Sequence, residues 1–193
     1  ALSSAASDVY KRQAVMGMPE AQRIDGDITR ELAQTLHAGD QVLYSGIIYT
    51  ARDAAHKRLV ETLDAGEEPP ISIDGAIIYY AGPAPAKPGY PIGPVGPTSS
   101  YRMDPYAPRL LDLGQRAMIG KGARSQEVID AVIRNEAVYF AAIGGAAALI
   151  AKSVKRADVV AYDDLGTEAI RRLEVVDLSL IHISEPTRQA EIS

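Results

Sequence analysis

An α/β layered domain with at least part of its sheet parallel is the fold class this sequence predicts, and three observations predict it. Strand-like and helix-like segments alternate along the chain, apolar runs such as residues 76–82 read as buried strands, and 193 residues with 47% apolar content are enough to bury one core. No internal repeat interrupts this alternation.

Taken in order, the apolar residues Ile28, Leu32 and Leu36 predict a short amphipathic helix over 28–37, stopped by a turn at Gly39 and Asp40. Residues 41–50 (QVLYSGIIYT) are rich in β-branched and aromatic types and predict a strand. It leads directly into ARDAAHKRLVETLDAG, where Ala55, Leu59 and Leu63 recur every fourth residue and predict a helix. AIIYYAG (76–82) predicts a second, buried strand. Residues 83–97 hold six of the twelve prolines and predict an extended loop. Beyond them come the strand-like AMIG (117–120), a helix at 125–134 (SQEVIDAVIR), the strand-like AVYFAA (137–142), a helix of small residues opening at Gly144 and Gly145, and VVAY (159–162).

The two ends lack this patterning. Residues 1–13 and 178–193 resemble translated sequencing-adapter tracts, so the expected domain is 14–177, cut short at its carboxy-terminal side. Excluding the second tract also removes His182 from the candidate functional residues.

Composition excludes several function classes. A formal net charge of -5 and a pI near 5.2 give no general pull toward nucleic acid or an anionic membrane, so any anion has to be met by local basic residues. There are no cysteines, which excludes disulfides, thiol catalysis and ligation of an iron-sulfur cluster by this chain. With no run of 18 apolar residues and no basic-then-apolar leader pattern, a soluble cytoplasmic protein is expected.

In an open α/β sheet, ligands gather at the loops beyond the carboxyl ends of the strands. Three such junctions carry basic residues. At Thr50-Ala51-Arg52-Asp53, the two-pronged Arg52 guanidinium suits a carboxylate, or else forms a surface pair with Asp53. In GPTSSYRMD (96–104), three hydroxyls and Arg102 suit an anion, although hydroxyls bonding back to their own turn would read the same way. In GKGARS (120–125), glycines permit close approach of the backbone to a ligand, Lys121 is a compact cation and a helix starts near Ser125. This is no P-loop, because Gly122 follows the lysine. His56 reads as a packed structural histidine, Gly144 and Gly145 as a helix start against the sheet, and Tyr79, Tyr80, Tyr139 and Tyr162 as half-buried strand residues.

Together the motifs GDQVLYSGIIYTARDAAHKR (39–58), IYYAGPAPAKPG (78–89), GPTSSYRMD (96–104), MIGKGARS (118–125), VYFAAIGGAAALI (138–150) and DLGTEAIRRLEV (164–175) resemble, in the same order, the carboxy-terminal or beta-subunit domain of class I fumarases. L-tartrate dehydratase beta subunits share the GPTT and GKG loops but carry CRD where this chain has TARDAAHKR. The resemblance implies a swivelling β/β/α domain. It implies a dicarboxylate held by Arg52, Arg102 and Lys121, with Ser99 in place of the family's second threonine and Thr98 as the group that takes the proton from malate carbon. It further implies a hydro-lyase of the tricarboxylic acid cycle interconverting fumarate and S-malate, working as a higher oligomer. No metal is held by this chain, and a 4Fe-4S cluster is bound by a partner alpha subunit. A dehydratase of tartrate or another dicarboxylate, and a non-catalytic anion-binding module, are the other readings.

Overall fold

The computed structural model describes residues 20–143 and 147–184. Its strands and helices run in the order β1 (Gln22–Asp25), α1 (Arg30–Thr35), β2 (Gln41–Thr50), α2 (Asp53–Asp64), β3 (Ile77–Tyr79), α3 (Ala107–Asp112), β4 (Ala117–Ile119), α4 (Gln126–Asn135), β5 (Val138–Ala142), α5 (Ala147–Ser153), β6 (Val154–Ala161) and β7 (Ile170–Ser184). Two short 3-10 turns, Ser100–Met103 and Asp163–Glu168, lie between them.

The sheet has seven strands in the order β1-β2-β3-β4-β5-β7-β6, with β7 also paired to β2. Strands β2, β3, β4 and β5 are parallel neighbours, whereas β7 runs antiparallel to both β5 and β2. These pairings close a ring. Strand β7 pairs with β2 over residues 171–181 on one edge, while its other edge changes partner along its length, from β6 at residues 170–175 to β5 at residues 180–184. Asp177, at φ 52°, marks the irregularity between the two halves.

Side chains alternate across the parallel strands and separate two apolar layers. Ile77, Tyr79, Ala117, Ile119, Val138 and Phe140 face inward, together with Ile48 of β2, against Leu173, Val175 and Leu180 of the antiparallel β7. Ile78, Tyr80, Met118 and Tyr139 face outward and are covered by Ala55 and Leu59 of α2, Leu110 and Leu111 of α3, and Val128 and Val132 of α4. The α/β expectation holds, with α2, α3 and α4 on one face of the parallel strands and, on the other, the antiparallel strand β7 in one layer with Ala33 of α1 and Ile150 of α5.

Local chemistry sets the boundaries. Helix α4 starts at Ser125, whose hydroxyl accepts from the Val128 N–H, and stops at Glu136 in the left-handed region. Helix α3, which was not expected, carries Pro108 in its first turn, where a missing N–H costs no helical bond.

Two expectations differ from the structure. Residues 178–184, set apart for their likeness to adapter tracts, form the second half of β7, with Leu178, Leu180 and His182 buried. Of the four strand tyrosines, Tyr79, Tyr80 and Tyr139 are fully buried instead of half-buried. Gly144 and Gly145 lie outside the described residues.

Candidate active site

Register places the site. Thr50, Tyr79, Ile119 and Phe140 lie side by side across the four parallel strands, so the residues that follow them emerge at one edge. The backbone pairing continues one step further, with Ala51 N–H donating to Tyr79 O, Tyr80 N–H to Ile119 O and Gly120 N–H to Phe140 O. Arg52 is the second residue beyond β2, Gly82 the third beyond β3, and Lys121 the second beyond β4.

The prolyl loop returns the chain to this edge. Pro97 bridges to Ala81, Thr98 N–H donates to Tyr80 O at 2.6 Å, and Ser99 pairs in a parallel bridge with Lys121. The loop is tied down on its way: Ala84 N–H donates to Pro94 O, and the Tyr79 hydroxyl donates to Val95 O at 2.8 Å.

Arg52 passes close to Gly82, where an added Cβ would stand 3.0 Å from Arg52 Cδ. Its Nε lies 3.8 Å from a Glu168 carboxylate oxygen, too far for a hydrogen bond, and that buried nitrogen has no hydrogen-bond partner among the described residues. Arg102 turns back onto Asp53, both Nε and Nη2 reaching Oδ2 at 2.7 Å. The pair expected between Arg52 and Asp53 is therefore replaced by one between Arg102 and Asp53, which brings Arg102 beside the residue that follows Arg52. Among the described residues the exposed Lys121 ammonium has no ion-pair or hydrogen-bond partner. All five candidate residues, Arg52, Thr98, Ser99, Arg102 and Lys121, thus belong to one cluster of loops at one edge of the parallel strands.

Behind this cluster is a buried polar layer that sequence reasoning missed. The Ser100 hydroxyl accepts from Lys121 N–H at 3.0 Å and meets the Tyr139 hydroxyl at 2.6 Å, and Tyr139 donates to Gly122 O at 2.8 Å. Arg124, with a side chain only 3% exposed, donates through Nε to Asp104 and through Nη2 to the Tyr80 hydroxyl, and lies over the rings of Tyr80 and Tyr139. The other Asp104 oxygen accepts from Ser125 N–H, so this start of α4 is already capped by a carboxylate.

Gly120 also has a role other than the expected one. A Cβ there would collide with Ser100 Oγ and Tyr80, so its missing side chain admits a neighbouring residue and not a ligand.

Burial sets the protonation states of this layer. It is the main cause raising Tyr80 and Tyr139 above the ordinary phenol range. Burial works against the Arg124 charge, but Tyr80 and Asp104 outweigh it and the guanidinium stays ionised. His56 is wholly buried, donates through Nδ1 to Arg52 O at 2.9 Å, and is pushed down to about 4 chiefly by burial. It is the packed histidine that was expected, and it also holds the backbone of Arg52.

The family model for the fumarase carboxy-terminus matches residues 3–186. The chain belongs to this family. Among its relatives, the anaerobic class I fumarate hydratase of Escherichia coli (strain K12) is 40% identical over 176 residues, covering 87% of this chain and 32% of the relative. The aerobic class I enzyme of Salmonella typhimurium is 42% identical over 176 residues, covering 87% and 30%. A protein of Methanocaldococcus jannaschii, provisionally named L(+)-tartrate dehydratase subunit beta, is 40% identical over 153 residues, covering 77% of this chain and 78% of its own length. This fumarase carboxy-terminal domain therefore spans about a third of the class I fumarate hydratases it matches, and most of the separate subunit.

Proposed function

We propose that this chain is the carboxy-terminal, beta-type part of an iron-sulfur-dependent class I fumarate hydratase, interconverting fumarate and S-malate in the cytoplasm once paired with an alpha part. The observation that carries the reading is the convergence of Arg52, Arg102 and Lys121 from three separate junctions on one loop cluster. We also read the two-sided layering, parallel strands between antiparallel strands and helices, as the swivelling β/β/α fold.

The chemistry favours that set of side chains. Dehydrating S-malate takes a proton from carbon beside a carboxylate and expels hydroxide, leaving the double bond of fumarate and one water. As the proton leaves, negative charge accumulates on that carboxylate, and cations already in place stabilise it more than they stabilise bound malate. Arg52 and Arg102 suit the carboxylates through paired N–H groups, and Lys121 serves as a point charge. The Arg102–Asp53 pair is partly exposed and worth about 1 kcal/mol or less, so a diacid displaces Asp53 at little cost. Thr98 receives the carbon-bound proton in this scheme, its alkoxide favoured by the surrounding cations, and Ser99 contributes a hydrogen bond.

A 4Fe-4S cluster is held by cysteine thiolates. This chain has no cysteine, and no group of His, Cys, Asp or Glu among its described residues is arranged to hold a metal. Its residues do not fit the cluster, which is assigned to the alpha part. No helix among the described residues is long and apolar enough to cross a membrane.

The test is anaerobic co-expression with a cluster-bearing alpha part and an assay of fumarate loss by ultraviolet absorbance. Arg102→Ala should lower kcat/KM by about 100- to 1,000-fold. Unchanged turnover in Arg102→Ala would favour a non-catalytic anion-binding module. The coverage of the Methanocaldococcus relative supports a second reading, a tartrate dehydratase, which a higher kcat/KM for tartrate than for malate would establish.

A further inference from the structure

Two loops from different strands carry the proposed substrate groups, 96–102 with Thr98, Ser99 and Arg102, and 120–125 with Lys121. What fixes one loop against the other is a set of four hydrogen bonds built on the buried side chains of Ser100 and Tyr139. Lys121 N–H reaches Ser100 Oγ at 3.0 Å, Ser100 N–H reaches Lys121 O at 2.9 Å, the Ser100 and Tyr139 hydroxyls are 2.6 Å apart, and Tyr139 reaches Gly122 O at 2.8 Å.

Each hydroxyl has one proton to donate. The Gly122 carbonyl only accepts, so the Tyr139 proton goes there. The Lys121 N–H only donates, so Ser100 Oγ accepts from it and gives its own proton to Tyr139. The chain of bonds therefore runs one way, from Lys121 through Ser100 and Tyr139 to Gly122, and ends on the loop where it began.

We propose that Tyr139 and Ser100 are positioning residues, whose hydroxyl chain sets the place of Lys121 relative to Thr98 without either touching the diacid. The proposal rests on the reading of Lys121 and Thr98 given above. Three features favour positioning over simple packing. Both side chains are buried, at 2% and 0% exposure, so the chain is shielded from competing water. The Tyr139 ring is held under the Arg124 guanidinium at 4.9 Å, and Arg124 is in turn fixed by Asp104, so the hydroxyl cannot swing away. Finally, a phenylalanine at 139 would fill the same space and keep the contact with Arg124. Only the hydroxyl bonds to Ser100 and Gly122.

The experiment uses Tyr139→Phe, Ser100→Ala and the double variant, each in the full chain alone and assembled with a cluster-bearing alpha part. In the chain alone, hydrogen exchange of the Lys121 amide should accelerate at least about tenfold in either single variant, while Ile78 and Met118 keep their protection. In the assembled enzyme, kcat/KM for fumarate should fall by about 10- to 100-fold, more through kcat than KM, as expected for a displaced charge. The double variant should be no worse than the poorer single one within about twofold, because both break one chain. Lower melting temperatures with unchanged exchange at Lys121 and unchanged kinetics would overturn the proposal, as would additive losses. Should Tyr139→Phe fail to fold, Ser100→Ala decides by the same readings. An inactive wild-type complex would count against the fumarase reading, and the exchange measurement would still decide whether Tyr139 holds residues 120–122.

Discussion

Arg52 and Arg102 each face a carboxylate of their own chain, whereas Lys121 faces none among the described residues, and this contrast shapes how the site meets an anion. Glu168 stands at 3.8 Å from Arg52, and Asp53 has one buried oxygen without a partner, so neither acid is fully engaged. A diacid bound as proposed would exchange one carboxylate for another at the arginines and add a new partner at the lysine. His56 makes a separate prediction at this scale. Unfolded, it takes up a proton as the pH falls through 6.5; folded, burial holds it neutral down to about 4. Between those values the unfolded chain binds more protons, so native stability falls as the pH drops, by about 2 kcal/mol at pH 5. Melting temperatures measured from pH 7 to pH 4.5 should show this loss, and His56→Gln should flatten it by close to one proton. An unchanged pH slope in that variant would show that the acid sensitivity lies elsewhere.

At the level of elements, the loop beyond β4 works because it carries no side chain at its first position. Gly120→Ala would drive a methyl into Ser100 Oγ and the Tyr80 ring, both in fully buried residues. Overpacking of this kind costs about 1–3 kcal/mol, and here the relief lies in pushing the Ser99 and Lys121 loops apart. Thermal melting of Gly120→Ala should drop accordingly, with kcat/KM of the assembled enzyme falling alongside it; full activity would mean the two loops are not coupled. Most of these elements were legible in the sequence. The β2 strand, the helix after it, the prolyl loop and α4 follow from periodicity, proline content and a serine cap. Helix α3 was hidden by Pro105 and Pro108, which read as breakers although Pro108 sits where a helix tolerates it. The common position of the five candidate residues at one strand edge was legible because each follows a strand or a glycine turn. The Ser100–Tyr139–Arg124 layer was not, because bonds between buried side chains from three separate segments leave no spacing pattern along the chain.

On the scale of the whole molecule, β7 joins the parallel and antiparallel strands into one ring and so holds the edge on which the loops stand. Residues 178–193 were set apart for their lack of patterning and their likeness to adapter tracts; the burial of Leu178, Leu180 and His182 becomes visible only once β2 and β5 are in place. A chain ended after Asp177 loses both leucines, each worth about 2–5 kcal/mol by the cost of truncating such residues, together with the pairing to β5. Circular dichroism should then show a broad, non-cooperative melt, and a sharp transition at the temperature of the full chain would contradict the role given to β7. The central claim concerns the loop edge that this ring supports: three cations from three junctions act on one four-carbon diacid. Its most direct test is the crystal structure of the assembled enzyme with S-malate bound. Arg52, Arg102 and Lys121 should all lie within hydrogen-bond distance of the two carboxylates, with Thr98 facing the carbon that loses its proton. A malate seated away from these residues, or reached by only one of the three, would contradict it.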